Sequence, residues 1–271
     1  MINTTTMNKE VIFQKLWDRY STENPSVKAI HTLFDQEGEK IINDHIAFRT
    51  FNDPRISKEV LAKHFENVGY KRMQDYDFEA KKLKAFHLDH PDEDAPKVFI
   101  SELLVEEFSE EAQKVIRQAI DEIPDEYYNN PDIIFQGRLW DAEHSIYQKL
   151  AQESEYAAWV YAHGYKANHF TIFINKLKKI TTIEQLNDFV EKNGYPLNNS
   201  GGKIKGTPEE LLQQSSTLAD IIEVSFNDGT YKIPSCFYEF ARRFPDENGE
   251  LYGGFIAKSA NKIFESTDFR M

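Results

Sequence analysis

The chain has 271 residues and a formal charge of −13, from 32 Lys and Arg against 45 Asp and Glu. That acidity argues against a nucleic-acid partner, and no window approaches the roughly 18 apolar residues of a membrane span. The single cysteine, Cys236, excludes an internal disulfide framework and fits a reducing compartment. The first nine residues also lack the apolar core of a signal peptide. The expectation is a soluble, cytoplasmic protein with no membrane partner, formed as one domain over 1–271.

The N-terminal segment, 1–40, reads as two amphipathic helices. Val11, Ile12, Leu16 and Trp17 recur at helical spacing, and Asn24-Pro25 restarts the pattern toward Ile30, Leu33 and Phe34. A first module over 41–105 opens with a strand from Ile42 to Phe51. A helix follows from Ser57 to Val68, capped by Ser57 and closed by Gly69. Leu83–Leu88 and Lys97–Val105 are strand candidates separated by a Pro- and Asp-rich turn. Residues 106–165 are acidic with helical patterning and read as an insertion that joins two modules and covers one side of the core.

The second module, 166–271, repeats the order. It has a strand from Asn168 to Ile174, a helix from Thr182 to Lys192, then strands Thr217–Phe226 and Tyr231–Arg242 about an Asn227-Asp228-Gly229-Thr230 hairpin. The glycine-bearing loop from Asn198 to Gly206 reads as mobile and lacks a phosphate-binding pattern. Asp44-His45-Ile46-Ala47-Phe48 returns as Asn168-His169-Phe170-Thr171-Ile172, and Gly69-Tyr70 returns as Gly194-Tyr195 at an offset that agrees to within one residue. Two diverged copies of one module, each βαβββ, predict an α+β fold whose paired sheets close a half-barrel around a shared site.

The duplicated histidines are the candidate centre. Glu102 and Glu239 each sit in an otherwise apolar strand, where a lone carboxylate is costly to bury unless something pairs with it. The four candidates are therefore His45, Glu102, His169 and Glu239. Two imidazoles and a carboxylate can form a facial triad with open positions on a divalent metal. Each histidine alone is equally readable as a hydrogen-bonded core residue. His31, His64, His87, His90, His144 and His163 have no repeated partner and read as surface or structural. Cys236, three residues before Glu239, points to the opposite strand face. Arg49 shares a strand face with His45, their Cα atoms about 13 Å apart. A short dicarboxylate could span a metal on His45 and the Arg49 guanidinium, although a surface salt bridge explains Arg49 equally well. Phe48, Phe170 and Phe237 are expected to help wall the cavity.

At these residues the chain resembles the 2-oxoadipate dioxygenase/decarboxylase family, the hydroxyglutarate synthases of lysine breakdown. The stretches that carry the resemblance are Asp44 to Phe51, Asn168 to Thr171, Ser235 to Arg243, and Gly254 to Ala260. The resemblance implies a vicinal-oxygen-chelate-like half-barrel with added helices, and Fe(II) held by His45, His169 and Glu239. It also implies Arg49 on the substrate's carboxylate, Ser259 closing over the substrate and Glu102 outside the ligand set; Lys258 departs from it, standing where a smaller apolar neighbour of the substrate is expected. The expected partners are a 2-oxo acid, 2-oxoadipate foremost, and O2, with CO2 and 2-hydroxyglutarate as products. Two rivals remain at this stage. One is a glyoxalase-type lyase or isomerase with Glu102 as a fourth ligand; the other is a binding module that holds a small acid without turnover.

Overall fold

The computed structural model describes residues 8–128 and 130–268. The start of the chain, read above as lacking a signal-peptide core, lies largely outside them. In chain order the elements are α1 (Lys9–Glu23), α2 (Pro25–Gln36), β1 (Asn43–Phe51), α3 (Lys58–Glu66), β2 (Lys71–Phe78), β3 (Leu83–Asp89) and β4 (Lys97–Leu103). Then follow α4 (Glu110–Asp121), α5 (Ile133–Gln136), α6 (His144–Glu153) and α7 (Glu155–His163). The remainder is β5 (Ala167–Phe173), α8 (Ile183–Lys192), β6 (Leu212–Ser216), β7 (Ile221–Phe226), β8 (Gly229–Pro234), β9 (Phe237–Arg243) and α9 (Ala257–Phe264).

Seven strands form one curled sheet in the order β2-β3-β4-β1-β5-β9-β6. At its centre β1 and β5 run antiparallel; β4 lies parallel to β1, and β9 parallel to β5. Outside these, β3 is antiparallel to β4 and β6 is antiparallel to β9. The six strands from β3 to β6 read the same from either end, as expected of a duplicated half-barrel, and β2 is the one strand outside that symmetry. The repeated Gly-Tyr pairs also do one job twice. Gly69 and Gly194 both have positive φ, and Tyr70 and Tyr195 return their N–H groups to Phe65 and Val190 in the last turns of α3 and α8.

The strand boundaries differ from expectation at three places. β2 is absent from the sequence reading because its first five residues are exposed and polar or flexible, which hides its alternation. In the second module the counterpart of β3 is β6, whose Leu-Gln-Gln-Ser-Ser sequence carries almost no strand signal. The expected 231–242 strand is broken at Ser235 and Cys236, so that β7 and β8 form a separate two-stranded sheet. Among the described residues no strand of the second module matches β2. Residues 197–205 lie there instead, joined to the β6 region only by single bridges from Leu197 to Thr217 and Lys205 to Gln214. The loop expected to be mobile is thereby pinned. Asn198 is buried and donates to the Lys262 carbonyl and the Ser266 hydroxyl, while Ser200 bonds Glu265.

The two faces of the sheet have different tasks. On the convex face Phe170 packs against Trp17 and Tyr20 of α1, and Phe48 against Phe65 of α3. Two of the three phenylalanines expected to wall the cavity, Phe48 and Phe170, therefore belong to the helix-covered core. His45, Ala47 and Arg49 alternate with them and face the concave side. Helix α9 lies across the opening and packs on both outer strands, β2 and β6. None of the described helices is long and apolar enough to cross a membrane.

Candidate metal centre

His45, His169 and Glu239 are the one group among the described residues with three potential ligand atoms clustered, all within 4.8 Å of one another. They come from β1, β5 and β9, three adjacent strands, so the sheet itself sets their spacing. The Nε2 atoms of both imidazoles face the carboxylate, His169 at 2.9 Å from Oε2 and His45 at 3.7 Å from Oε1. All three residues are buried, and Glu239 is fully so. Burial alone would raise the Glu239 pKa, but the adjacent imidazoles outweigh it and hold the carboxyl down to about 2. The buried Glu239 Oε2 and Gln214 Oε1 atoms have no hydrogen-bond partner. An unsatisfied carboxylate oxygen beside two imidazole nitrogens suits a divalent cation.

Each ligand is oriented from behind. His45 Nδ1 lies 2.8 Å from Asp44 Oδ1, and His169 Nδ1 lies 2.9 Å from Asn168 Oδ1. These contacts turn both Nε2 atoms to the centre, where His45 Nε2 also lies 3.1 Å from the Thr171 hydroxyl. Asp44 in turn receives Nε (2.6 Å) and one terminal nitrogen (2.9 Å) of Arg243. Gln214 donates to Glu239 Oε1 at 2.6 Å. The two histidines are thus unequal. Burial lowers both, but Glu239 and Asp44 together reverse the sign for His45, whereas His169, backed by a neutral amide, stays below its ordinary value.

The surroundings are aromatic. Phe255 lies edge-on to His45 with centroids 4.8 Å apart and also contacts Phe99, while Phe237 stacks on His169 at 4.6 Å. Arg49 is buried against the rings of Tyr156, Trp159 and Phe264, at 5.1, 5.2 and 5.6 Å. It donates to Thr267 Oγ1 (3.0 Å) and more weakly to the Phe264 carbonyl (3.4 Å), its Nε has no partner, and it forms no salt bridge among the described residues. The surface salt bridge is therefore excluded. Burial pulls this guanidinium down to about 10. A 650 Å³ cavity is lined by Trp159 and Thr267 among others, both in contact with Arg49, and includes none of the three clustered residues.

A family model described as 2-oxoadipate dioxygenase/decarboxylase matches residues 12–129 and 134–248. The chain belongs to the 2-oxoadipate dioxygenase/decarboxylase family. The chloroplastic 2-oxoadipate dioxygenase/decarboxylase of Arabidopsis thaliana is 37% identical over 275 residues, spanning 92% of this chain and 74% of that protein. The hydroxyglutarate synthase of Oryza sativa, solved in complex with 2-oxoadipate, superposes with a TM-score of 0.90 at 36% identity, covering 96% and 92% of the two chains. A Shewanella frigidimarina structure described as a hydrolase gives 0.89 at 53% identity over 92% and 98%. A glyoxalase-superfamily protein of Ralstonia eutropha gives 0.73 at 19% over 90% and 83%, a likeness of fold that agrees with a vicinal-oxygen-chelate-like half-barrel.

For this dioxygenase/decarboxylase family member the register corrects one sequence equivalence. Parallel pairing sets His45 opposite Lys97 and His169 opposite Phe237, so the counterpart of Glu239 is Phe99. Glu102 lies three residues further on, facing α3, where it accepts the Lys58 backbone N–H (3.0 Å) and pairs with the Lys58 ammonium. That carboxylate takes the capping role expected of Ser57, whose side chain makes no cap bond. Glu102→Gln is expected to leave metal stoichiometry unchanged while lowering the thermal midpoint; loss of metal would return Glu102 to the ligand set. Ser259 is buried on α9, and a side chain at Gly206 would lie 3.3 Å from its hydroxyl. Lys258 is exposed. The sequence reading assigned no role to Asp44, Arg243, Gln214 or Phe255. Asp44 carried a detectable signal, a polar residue preceding the duplicated histidine in both copies.

Proposed function

We propose that this protein is an Fe(II)-dependent oxygenase that converts 2-oxoadipate and O2 to 2-hydroxyglutarate and CO2, retaining both oxygen atoms in the products. The observation that carries this is the three-ligand set with a phenylalanine, Phe99, at the position related to Glu239. With a fourth protein carboxylate a chelating 2-oxo acid would fill the remaining positions; three protein ligands would leave room for the chelate and for O2. His45, His169 and Glu239 would hold the iron, which when bound supplies the one-electron and O2 chemistry that protein side chains lack.

The chain's own residues then have definite tasks. Arg49, a buried guanidinium without a carboxylate, receives a carboxylate of the substrate. Ser259 covers the substrate from α9, and Phe99, Phe237 and Phe255 keep water from the reacting carbons. The Asp44 and Asn168 side chains hold the imidazoles so that Nε2 faces inward. The N-terminal helices, the two modules and the 106–165 insertion are read as a single catalytic unit. The cytoplasm is the proposed compartment, in keeping with the buried free thiol Cys236.

The test is oxygen uptake by anaerobically Fe(II)-reconstituted protein supplied with 2-oxoadipate, with CO2 and 2-hydroxyglutarate quantified together. One O2 per CO2 and per hydroxy acid is expected, with no uptake by His169→Ala. A two-histidine, one-glutamate set also suits hydrolytic zinc chemistry, and the Shewanella relative bears that description. Metal-loaded protein that consumes no oxygen with any 2-oxo acid would overturn the oxygenase reading.

A further inference from the structure

Among the described residues five lysines and arginines are buried: Arg49, Lys58, Lys166, Lys205 and Arg243. Fully buried cations are rare unless paired. Lys58 pairs with Glu102, Lys166 with Glu23, and Arg243 with Asp44. Arg49 and Lys205 have no salt bridge. Arg49 shares β1 with His45, and Lys205 bridges Gln214, whose side chain bonds Glu239.

Lys205 is held in place. Its ammonium donates to the carbonyls of Asn198 (2.6 Å) and Lys203 (3.3 Å), which engage two of its three N–H donors. Its backbone exchanges two 2.8 Å hydrogen bonds with Gln214, whose amide holds Glu239. The next residue, Gly206, has φ of +80° and no room for a side chain, because a Cβ would meet the Leu212 carbonyl at 2.1 Å and Ser259 Oγ at 3.3 Å. Lys205 is therefore joined through direct contacts to Gln214 and Glu239 and lies next in sequence to the residue beneath Ser259. Glu239 and Glu265 are the carboxylates whose fields reach it, neither within ion-pair distance, and burial pulls the ammonium down to about 8. A buried charge with a spare donor and no counter-ion is costly until a ligand supplies one.

We propose that Lys205 is a second cation of the substrate pocket, and that with Arg49 it restricts the ligand to 2-oxo acids bearing a second carboxylate. The inference rests on the 2-oxo acid reading above and assigns its charge selectivity to a residue in a loop. The C1 carboxylate at the metal turns its second oxygen to Arg49 and the distal carboxylate of a diacid meets Lys205, whereas a monoacid leaves Lys205 bare. The residue positions and selects substrate; no part in bond making is assigned to it.

The test compares affinities of metal-loaded protein for 2-oxoadipate and for 2-oxohexanoate, which has the same chain length and one carboxylate, by calorimetry without oxygen. Wild type is expected to prefer the diacid. Lys205→Met is expected to weaken 2-oxoadipate binding about 10- to 100-fold, as for loss of one charged hydrogen bond, and to leave 2-oxohexanoate within about threefold. Lys205→Arg should restore most of the preference. Lys205→Gln, smaller in its disturbance of the two carbonyls, decides the matter should the methionine variant not fold. Equal weakening of both acids, or no weakening of either, overturns the assignment. Because binding is read without turnover, an enzyme that fails the oxygen-uptake test but loses diacid preference on Lys205→Met would refute the oxygenase reading alone.

Discussion

Glu239→Gln is expected to yield a folded protein that retains almost no divalent metal and shows no measurable turnover. The substitution removes the only carboxylate of the three-residue set while preserving its shape and its contact with Gln214. Two imidazoles alone leave the cation without an anionic ligand. Each ~1.4 kcal/mol of lost binding weakens the metal about tenfold, so a loss of roughly 4 kcal/mol corresponds to about a thousandfold. Elemental analysis after desalting gives the metal content, and circular dichroism tests the fold. The neutral amide also removes a buried charge, so the metal-free variant should be no less stable than metal-free wild type near neutral pH by more than the lost imidazole contacts. Near-stoichiometric metal in the variant would show that Glu239 is not a ligand.

The second large effect falls on stability. Asp44 accepts two hydrogen bonds from the Arg243 guanidinium, which also donates to the carbonyls of Tyr252 and Gly254, all of it buried or nearly so. Removing one partner of such a pair leaves an uncompensated charge, at a cost of about 3–5 kcal/mol. For a chain of this size Asp44→Asn should thus lower the thermal midpoint by roughly 6–20 °C. Metal affinity should fall by about 10- to 100-fold as well, because His45 loses the carboxylate behind it. Burial would raise the Asp44 pKa, but Arg243 and His45 outweigh it and hold the group well below its ordinary range. The resulting stabilisation is complete above the unfolded value of about 3.9 and fades as the pH falls toward the depressed folded value. The wild-type advantage over Asp44→Asn should therefore narrow below about pH 4. An advantage that persists undiminished to pH 2 would show that the Asp44 pKa is not depressed by folding, and one that is absent at pH 7 would refute the pair's contribution.

The parts of this molecule that could be read from sequence are those in which chemistry and period coincide. His45 and His169 were legible because a polar-His-apolar strand occurs twice with a helix and Gly-Tyr after it, and the structure gives both copies the same strand and the same turn. Glu239 was legible as a carboxylate in an apolar strand. Glu102 looked equivalent on the same ground, but equivalence depends on register with β1, and that is a property of paired strands rather than of either one. β6 was missed because glutamines and serines in a buried strand satisfy each other through partners distant in sequence: Ser215 bonds Asn187, and Gln214 bonds Glu239. The Asp44–Arg243 pair joins the start of one module to the end of the other. Nothing local announces it. Likewise the glycines of 198–206 signalled a loop correctly, and what the loop rests on was decided by tertiary contacts.

The loop over 197–205 also bears on how the molecule behaves in company. An incomplete barrel has two border strands, each a row of backbone groups ready to recruit a second polypeptide. β2 discourages recruitment with Lys71, Arg72, Asp75 and Asp77 along an exposed strand. β6 has no charged residue, and its border is instead masked by the bridge from Lys205 and by helix α9. Gly206 is the point at which that mask is most vulnerable, because any side chain there strikes the Leu212 carbonyl. A substitution at Gly206 would lift the loop and bare an uncharged strand, so its first symptom should be self-association of otherwise native molecules.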